Sequence, residues 1–69
     1  MDIREVLAAN LNRLRRAAGY SQQALAQDVD IDRTYVSVLE RCHYAAAIDV
    51  VDRIAKVLNI EAADLLSVR

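Results

Sequence analysis

The chain has 69 residues, with nine basic and ten acidic side chains, a net charge of −1 and an apolar fraction of 55%. This length suits one small domain near the lower limit for a core without cross-links, and the single cysteine, Cys42, excludes an internal disulfide. Because the sequence has no proline, no run of about eighteen apolar residues and no signal-peptide pattern, we expect a helical, soluble, cytoplasmic protein that does not enter a membrane.

The first predicted helix covers about residues 3 to 18. Its apolar side chains recur at steps of three and four residues, the periodicity of an amphipathic helix. They are Ile3, Leu7, Leu11, Leu14 and Ala18. Gly19, the only glycine, follows directly and is typical of the left-handed residue that ends a helix.

The next segment predicts two short helices joined by a tight turn. Ser21 and Asp32 are suited to cap the two helix starts, because their side-chain oxygens accept hydrogen bonds from free amides. Apolar residues flank each cap at the hydrophobic-staple spacing. These are Tyr20 with Leu25, and Ile31 with Val36. Helices over about 21 to 28 and 32 to 41 leave only Val29-Asp30-Ile31 for the turn, which indicates a helix-turn-helix.

Two further helices complete the predicted fold. The fourth covers about residues 48 to 58 and ends at Asn59, a common substitute for glycine at a helix stop. Its apolar stripe consists of Ile48, Val51, Ile54, Ala55 and Leu58. The fifth runs from Glu61 to about Val68. We therefore predict an all-α, compact five-helix fold in which residues 1 to 69 form a single domain.

The order of these elements resembles the lambda-repressor-like DNA-binding domain of the phage Cro and repressor type. The resemblance covers Leu11 to Leu66. It rests on the motifs Leu14-Arg15-Arg16, Gly19-Tyr20-Ser21-Gln22, Leu25-Ala26, Asp32-Arg33-Thr34-Tyr35-Val36-Ser37, Leu39-Glu40-Arg41 and Ile54-Ala55-Lys56-Val57-Leu58. The string from Asp32 to Tyr35 is especially similar to the controller proteins of restriction–modification systems. The resemblance implies a transcription regulator that binds duplex DNA as a homodimer, with a recognition helix over about 32 to 41.

Three positions depart from the pattern of this family. Asp30 stands where the turn usually has glycine, although aspartate tolerates a left-handed backbone. Cys42 replaces the glycine that usually ends the recognition helix, so backbone strain is expected there unless the helix ends differently. Ala45-Ala46-Ala47 replaces a segment that is usually Asn-Pro-Ser, which removes a helix cap and a phosphate contact.

The candidates for reading bases share one face of the third helix, while Val36 and Leu39 point away. They are Arg33, Thr34, Ser37 and Val38, with Arg41 at the end of the same face. The guanidinium donors of Arg33 match guanine O6 and N7, and Val38 suits a thymine methyl group. The alternative is an ordinary solvated face on which Val38 is a single exposed apolar residue.

The expected phosphate contacts are Ser21, Gln22, Tyr35, Arg41 and His43. Ser21 and Gln22 lie at a helix start, where free amides and the helix dipole attract an anion. The Tyr35 hydroxyl can reach a phosphate while its ring packs, or the residue can serve packing alone. Arg41 and His43 follow the recognition helix, and His43 is more simply a solvated loop residue.

Other site classes are not expected. In the resembling family, the positions of Arg15 and Glu40 pair between the first and third helices, so the resemblance implies a structural ion pair.

One cysteine and one histidine cannot supply the four ligands of a metal site, and no cofactor is expected. The sequence has no glycine-rich phosphate loop and no nucleophile–base pair, so the protein is not expected to be an enzyme.

The last residues predict where two copies meet. Leu65 is expected to complete the core, and Leu66 or Val68 to face outward on a patch that two-fold symmetry can cover. A frayed C-terminus is the alternative. Because the net charge is slightly negative, the alternative function is a helix-turn-helix module that binds a protein and not DNA.

Overall fold

The computed structural model describes residues 2–42 and 45–68. Within these ranges the chain folds into five α-helices and no strand, as the sequence predicted. The helices are α1 Ile3–Ala17, α2 Gln22–Val29, α3 Arg33–Glu40, α4 Ile48–Leu58 and α5 Ala62–Leu66. The phosphate contact expected of His43 lies outside the described residues.

Short polar side chains determine where the first three helices begin. Asp2, Ser21 and Asp32 each accept a hydrogen bond from a backbone amide in the first turn, at 2.8, 3.0 and 2.7 Å respectively. These bonds satisfy amides that have no partner within the helix. The start of α4 is different, because Ala47 precedes it and has no side chain that can cap it.

Left-handed residues end the helices at the predicted positions. Gly19 has φ 80, and a Cβ there would meet nothing within 4 Å, so the backbone and not the available space requires glycine. Asp30 and Asn59 have φ 64 and 58. Cys42, which follows the C-cap residue Arg41 of α3, has φ 63, so the expected strain is present and costs about 1–2 kcal/mol relative to glycine.

The core forms where the apolar faces of the helices meet. Helix α1 packs on α3 and α5, α2 packs on α3 and α4, and α4 packs on α5. The largest fully buried side chains are Leu11, Leu25, Val36, Leu39, Ile54 and Leu65. All six are aliphatic, and the predicted stripes placed them inside.

The predicted bounds of two helices need correction. Helix α5 was expected to reach about Val68 but ends at Leu66, because Ser67 is extended and its hydroxyl donates to the Ala63 carbonyl at 2.7 Å. This hydroxyl takes the acceptor that the Ser67 amide would use in a longer helix. Asn10 of α1 donates from Nδ2 to the carbonyls of Leu65 (3.0 Å) and Ser67 (2.8 Å) and so holds the end of α5 against α1. Helix α2 includes Val29, which the sequence placed in the turn.

The first residues of two predicted stripes are exposed. Ile48, the first residue of α4, is 89% exposed, and Ile3, the first residue of α1, is also exposed. Helical periodicity gives the direction of a side chain but not whether another element lies opposite it. At this end of the molecule both stripes extend beyond the core.

Candidate nucleic-acid interface

The starts of α2 and α3 enclose a polar hollow of about 380 Å³. Its lining residues are Arg15, Ser21, Gln22, Gln23 and Arg33. Two of the expected phosphate contacts therefore lie beside Arg33, the first expected base contact. The two caps produce this arrangement, because Ser21 and Asp32 fix where each helix begins.

A second hollow, of about 190 Å³, runs along the outer face of α3. Arg33, Thr34, Ser37 and Arg41 line it. Arg33 lines both hollows, so the outer face of α3 and the start of α2 form one continuous polar surface. The structure thus brings together three of the four expected base contacts and three of the expected phosphate contacts.

Two further expected contacts, Val38 and Tyr35, are half-buried. Val38 has the same intermediate burial as its neighbour Ser37. Tyr35 is also half-buried, its ring packs against the core, and its hydroxyl oxygen accepts a hydrogen bond from the Ala47 amide at 3.3 Å. The Tyr35 hydroxyl oxygen therefore has a partner within the protein, while its proton remains free to donate to a phosphate.

Ser21 and Gln22 keep donors available for an anion. The Ser21 hydroxyl oxygen accepts from the Ala24 amide, which leaves its proton free to donate. One N–H of the Gln22 amide points to the Glu40 carboxylate, with Nε2 and Oε1 3.2 Å apart. The second N–H of this group is available, so each residue offers one donor to a phosphate.

Arg15 and Glu40 form the centre of a buried hydrogen-bond network. Arg15 Nε lies 2.6 Å from Glu40 Oε2, and the side chains are 11% and 5% exposed. Arg15 also donates to Glu40 Oε1 (3.1 Å) and to the Tyr20 carbonyl (2.7 Å), while Asn12 donates to Glu40 Oε1 at 2.9 Å. With Gln22, these contacts join α1, α2 and α3.

The network keeps Glu40 ionised. Burial alone would raise the pKa of the Glu40 carboxyl, but hydrogen bonds from Arg15, Asn12 and Gln22 outweigh it and hold the pKa below its usual value. At neutral pH, Glu40 therefore neutralises Arg15. Arg33 and Arg41 remain as exposed cations on the outer face of α3.

Sequence reasoning missed two polar residues here. Gln23 lines the hollow with Ser21 and Arg33, and its place directly after the cap and Gln22 is the signal that identifies it. Asn12 lies three residues before Arg15, a spacing that puts both side chains on one face of α1. Its hydrogen bond to Glu40 depends on how α1 and α3 pack, which periodicity does not show.

Residues 2–42 and 45–68 form neither a membrane span nor a metal site. No helix there is both long and apolar enough to cross a membrane. No group of three His, Cys, Asp or Glu side chains is placed to hold a metal ion.

The helix-turn-helix family HTH_3 matches residues 11–65, from the middle of α1 to α5. The chain belongs to this family. The members with similar sequences are transcription regulators and not enzymes. The prediction that this protein is not an enzyme is therefore confirmed.

Two relatives with similar sequences illustrate what this chain resembles. The chain is 40% identical over 65 residues to a hypothetical transcription factor of Neisseria meningitidis, a match that covers 94% of this chain and 61% of that protein. It is 34% identical to control protein C.SmaI of Serratia marcescens, over 97% of this chain and 80% of that protein. This chain thus spans less than two thirds of the length of the Neisseria relative.

Crystal structures show the same fold. The Neisseria transcription factor NHTF superposes with a TM-score of 0.92 at 39% identity, over 96% of this chain and 76% of that one. The restriction–modification controller protein C.AhdI of Aeromonas hydrophila gives a TM-score of 0.86 at 32% identity, over 90% and 94% of the two chains. These similarities confirm the resemblance to the lambda-repressor-like and controller proteins.

Proposed function

We propose that the chain binds duplex DNA at a specific sequence and regulates transcription, with α3 in the major groove. The observation that carries this proposal is the position of Arg33, which lines both polar hollows. When a duplex lies against α3, its base edges and its phosphates both face this one continuous surface of the protein. The transcription factor and control proteins among its relatives support the same function.

Base reading falls to the outer face of α3. Arg33, in the first turn, donates two hydrogen bonds to guanine O6 and N7. Thr34 and Ser37 share its hollow and offer hydroxyl groups that both donate and accept. Val38 lies directly after Ser37 and contributes an apolar contact to a thymine methyl group.

Phosphate contacts fix the register of the protein on the duplex. Ser21 and Gln22 each keep one donor at the start of α2, and Arg41 supplies a cation at the far end of α3. Contacts of this kind stabilise every sequence alike. Gln23, which lines the same hollow, adds a further donor.

The proposal includes a homodimer, because one recognition helix reads only about four or five base pairs. We assign the contact between copies to exposed apolar side chains of α1, α4 and α5, here called the Ile48–Leu66 surface. Ile3, Ile48 and Leu66 form it. Ile48 and Leu66 line two adjoining hollows of about 160 and 480 Å³, and Ile3 lines the smaller one. Exposed apolar side chains that adjoin in this way are suited to burial against a second copy.

Charge at its edges fits a two-fold contact. Arg4 lies at the edge near α1, and Asp49 lies at the edge near α4. Arg4 also pairs with Asp2 of its own chain, with Nη2 and Oδ2 2.8 Å apart, so a two-fold contact that sets Arg4 near Asp49 of the other copy makes it share its charge between two carboxylates. Val68, the other residue expected at the contact, lines a separate hollow with Glu5 and Arg13. The proposed contact therefore centres on Leu66 and Ile48.

The experiment compares a base reader with a phosphate contact. Arg33→Ala is expected to weaken binding to the preferred site by about 1–3 kcal/mol and to flatten the preference at one position per half-site. Gln22→Ala is expected to weaken preferred and scrambled sites alike. Arg53→Ala, which removes the same charge from the exposed side of α4, is the control.

Binding isotherms on preferred and scrambled duplexes at two salt concentrations decide the result. If Arg33→Ala weakens all sequences equally, its role in base reading is wrong. If the unmodified protein shows no salt-dependent affinity for duplex DNA, the DNA-binding proposal fails, and a protein partner for α3 becomes the better explanation.

A further inference from the structure

Tyr35 connects the recognition helix to the loop that precedes α4. Its ring packs against the core from α3, and its hydroxyl oxygen accepts a hydrogen bond from the Ala47 amide at 3.3 Å. Ala47 lies immediately before α4 and provides no side-chain cap. The phenol of Tyr35 therefore provides a side-chain contact that holds the beginning of α4 against α3.

The same loop forms one wall of the Ile48–Leu66 surface. Ala45 and Ala46 line the hollow of about 160 Å³ together with Ile3, Ile48 and Leu66. Ala46 also packs against the core. The position of this wall depends on where Ala47 is held, and that position is set from α3.

We propose that Tyr35 is a positioning residue that couples DNA binding by α3 to contact between two copies. Its hydroxyl fixes Ala47, Ala47 fixes Ala46 and Ile48, and these residues shape the Ile48–Leu66 surface. This inference rests on the homodimer of the proposed function. The phosphate contact expected of Tyr35 is the competing role, because the hydroxyl oxygen accepts from the Ala47 amide while its proton stays free to donate.

Thermodynamic linkage makes the coupling reciprocal. If contact between α3 and DNA favours the loop position that suits the contact between two copies, then contact between the copies must favour DNA binding by the same factor. Loss of the hydroxyl then reduces cooperativity between half-sites more than affinity for a single half-site. A tyrosine that binds phosphate gives the opposite pattern, since each half-site loses its own contact.

Tyr35→Phe tests this with the ring retained. The cooperativity factor on a two-half-site duplex is expected to fall about three- to tenfold, the size of one net hydrogen bond. In the free protein, hydrogen exchange of the Ala47 amide is expected to quicken by a comparable factor. Tyr20→Phe is the matched control, because it also removes a hydroxyl hydrogen bond, to Asp28 at 2.7 Å.

The outcomes separate the inference from the proposed function. If the unmodified protein and Tyr35→Phe load both half-sites with equal cooperativity, the coupling is wrong and the proposed function stands. If the whole loss appears on a single half-site, Tyr35 binds phosphate and the inference is overturned. If the unmodified protein binds one half-site but shows no cooperativity on two, the homodimer fails, and the coupling fails with it.

Discussion

Two regions of the molecule use polarity in opposite ways. Between α1, α2 and α3, the charged pair Arg15–Glu40 is sealed inside, with side chains 11% and 5% exposed. Between α1, α4 and α5, apolar side chains are left outside, with Ile48 89% and Leu66 41% exposed. A chain of 69 residues has little apolar surface to spare, so both arrangements need a reason.

The first region has its buried charges paired within one copy, whereas the second leaves apolar side chains exposed. Arg15, Asn12 and Gln22 all donate to Glu40 and fix how α1, α2 and α3 sit together. The apolar side chains of the Ile48–Leu66 surface are exposed in one copy. The first region therefore governs folding and the shape of the reading surface, while the second is expected to govern assembly.

Two adjacent leucines of α5 give the largest expected contrast. Leu65 is fully buried, so Leu65→Ala is expected to lower the free energy of unfolding by about 2–5 kcal/mol. Leu66→Asp is expected to leave the fold intact, with a change below about 1 kcal/mol, but to abolish cooperative binding to two half-sites. Denaturant unfolding, sedimentation and gel shifts measure these effects. If Leu66→Asp still binds cooperatively, the copies pair through another surface.

The buried network gives the next largest effect. Glu40→Ala leaves Arg15 buried without its anion and Asn12 without its acceptor, and is expected to cost about 1–3 kcal/mol of unfolding free energy. Glu5→Ala, which removes an exposed carboxylate from α1, is the control. Equal unfolding midpoints for the two variants would show that the network adds nothing to stability.

The smallest effect concerns pH. The pKa of Glu40 is lowered in the folded chain, so its contribution is complete above the unfolded pKa of roughly 4–5 and is lost as pH falls through the folded pKa. We therefore expect the stability difference between the unmodified protein and Glu40→Gln to shrink as pH falls below that range. Asp32, whose pKa is lowered mainly by the Thr34 amide, contributes equally to both proteins and cancels. A difference that stays constant down to about pH 3 would contradict the assignment.

Much of the fold could be predicted because it follows from local chemistry. Ser21 and Asp32 cap helices, Gly19 and Asn59 end them, and the apolar spacing identifies the buried leucines. These features depend on a few neighbouring residues. The helix-turn-helix and the expected polar contacts on α3 followed from them.

The rest depended on contacts between distant residues. Asn10 holds the end of α5 by donating to carbonyls more than fifty positions away, which no local pattern shows. Asn12 and Gln22 meet Glu40 only after three helices assemble. Ile48 continues an apolar stripe correctly, but the sequence does not show that its side chain is left 89% exposed.

Selection of bound duplexes from a random pool tests the central claim most directly. The account predicts enrichment of a two-fold symmetric site, with half-sites about one helical turn apart and a guanine in each half-site that Arg33→Ala no longer prefers. Recovery of duplexes without any common sequence, at affinities that do not depend on Arg33, would contradict it.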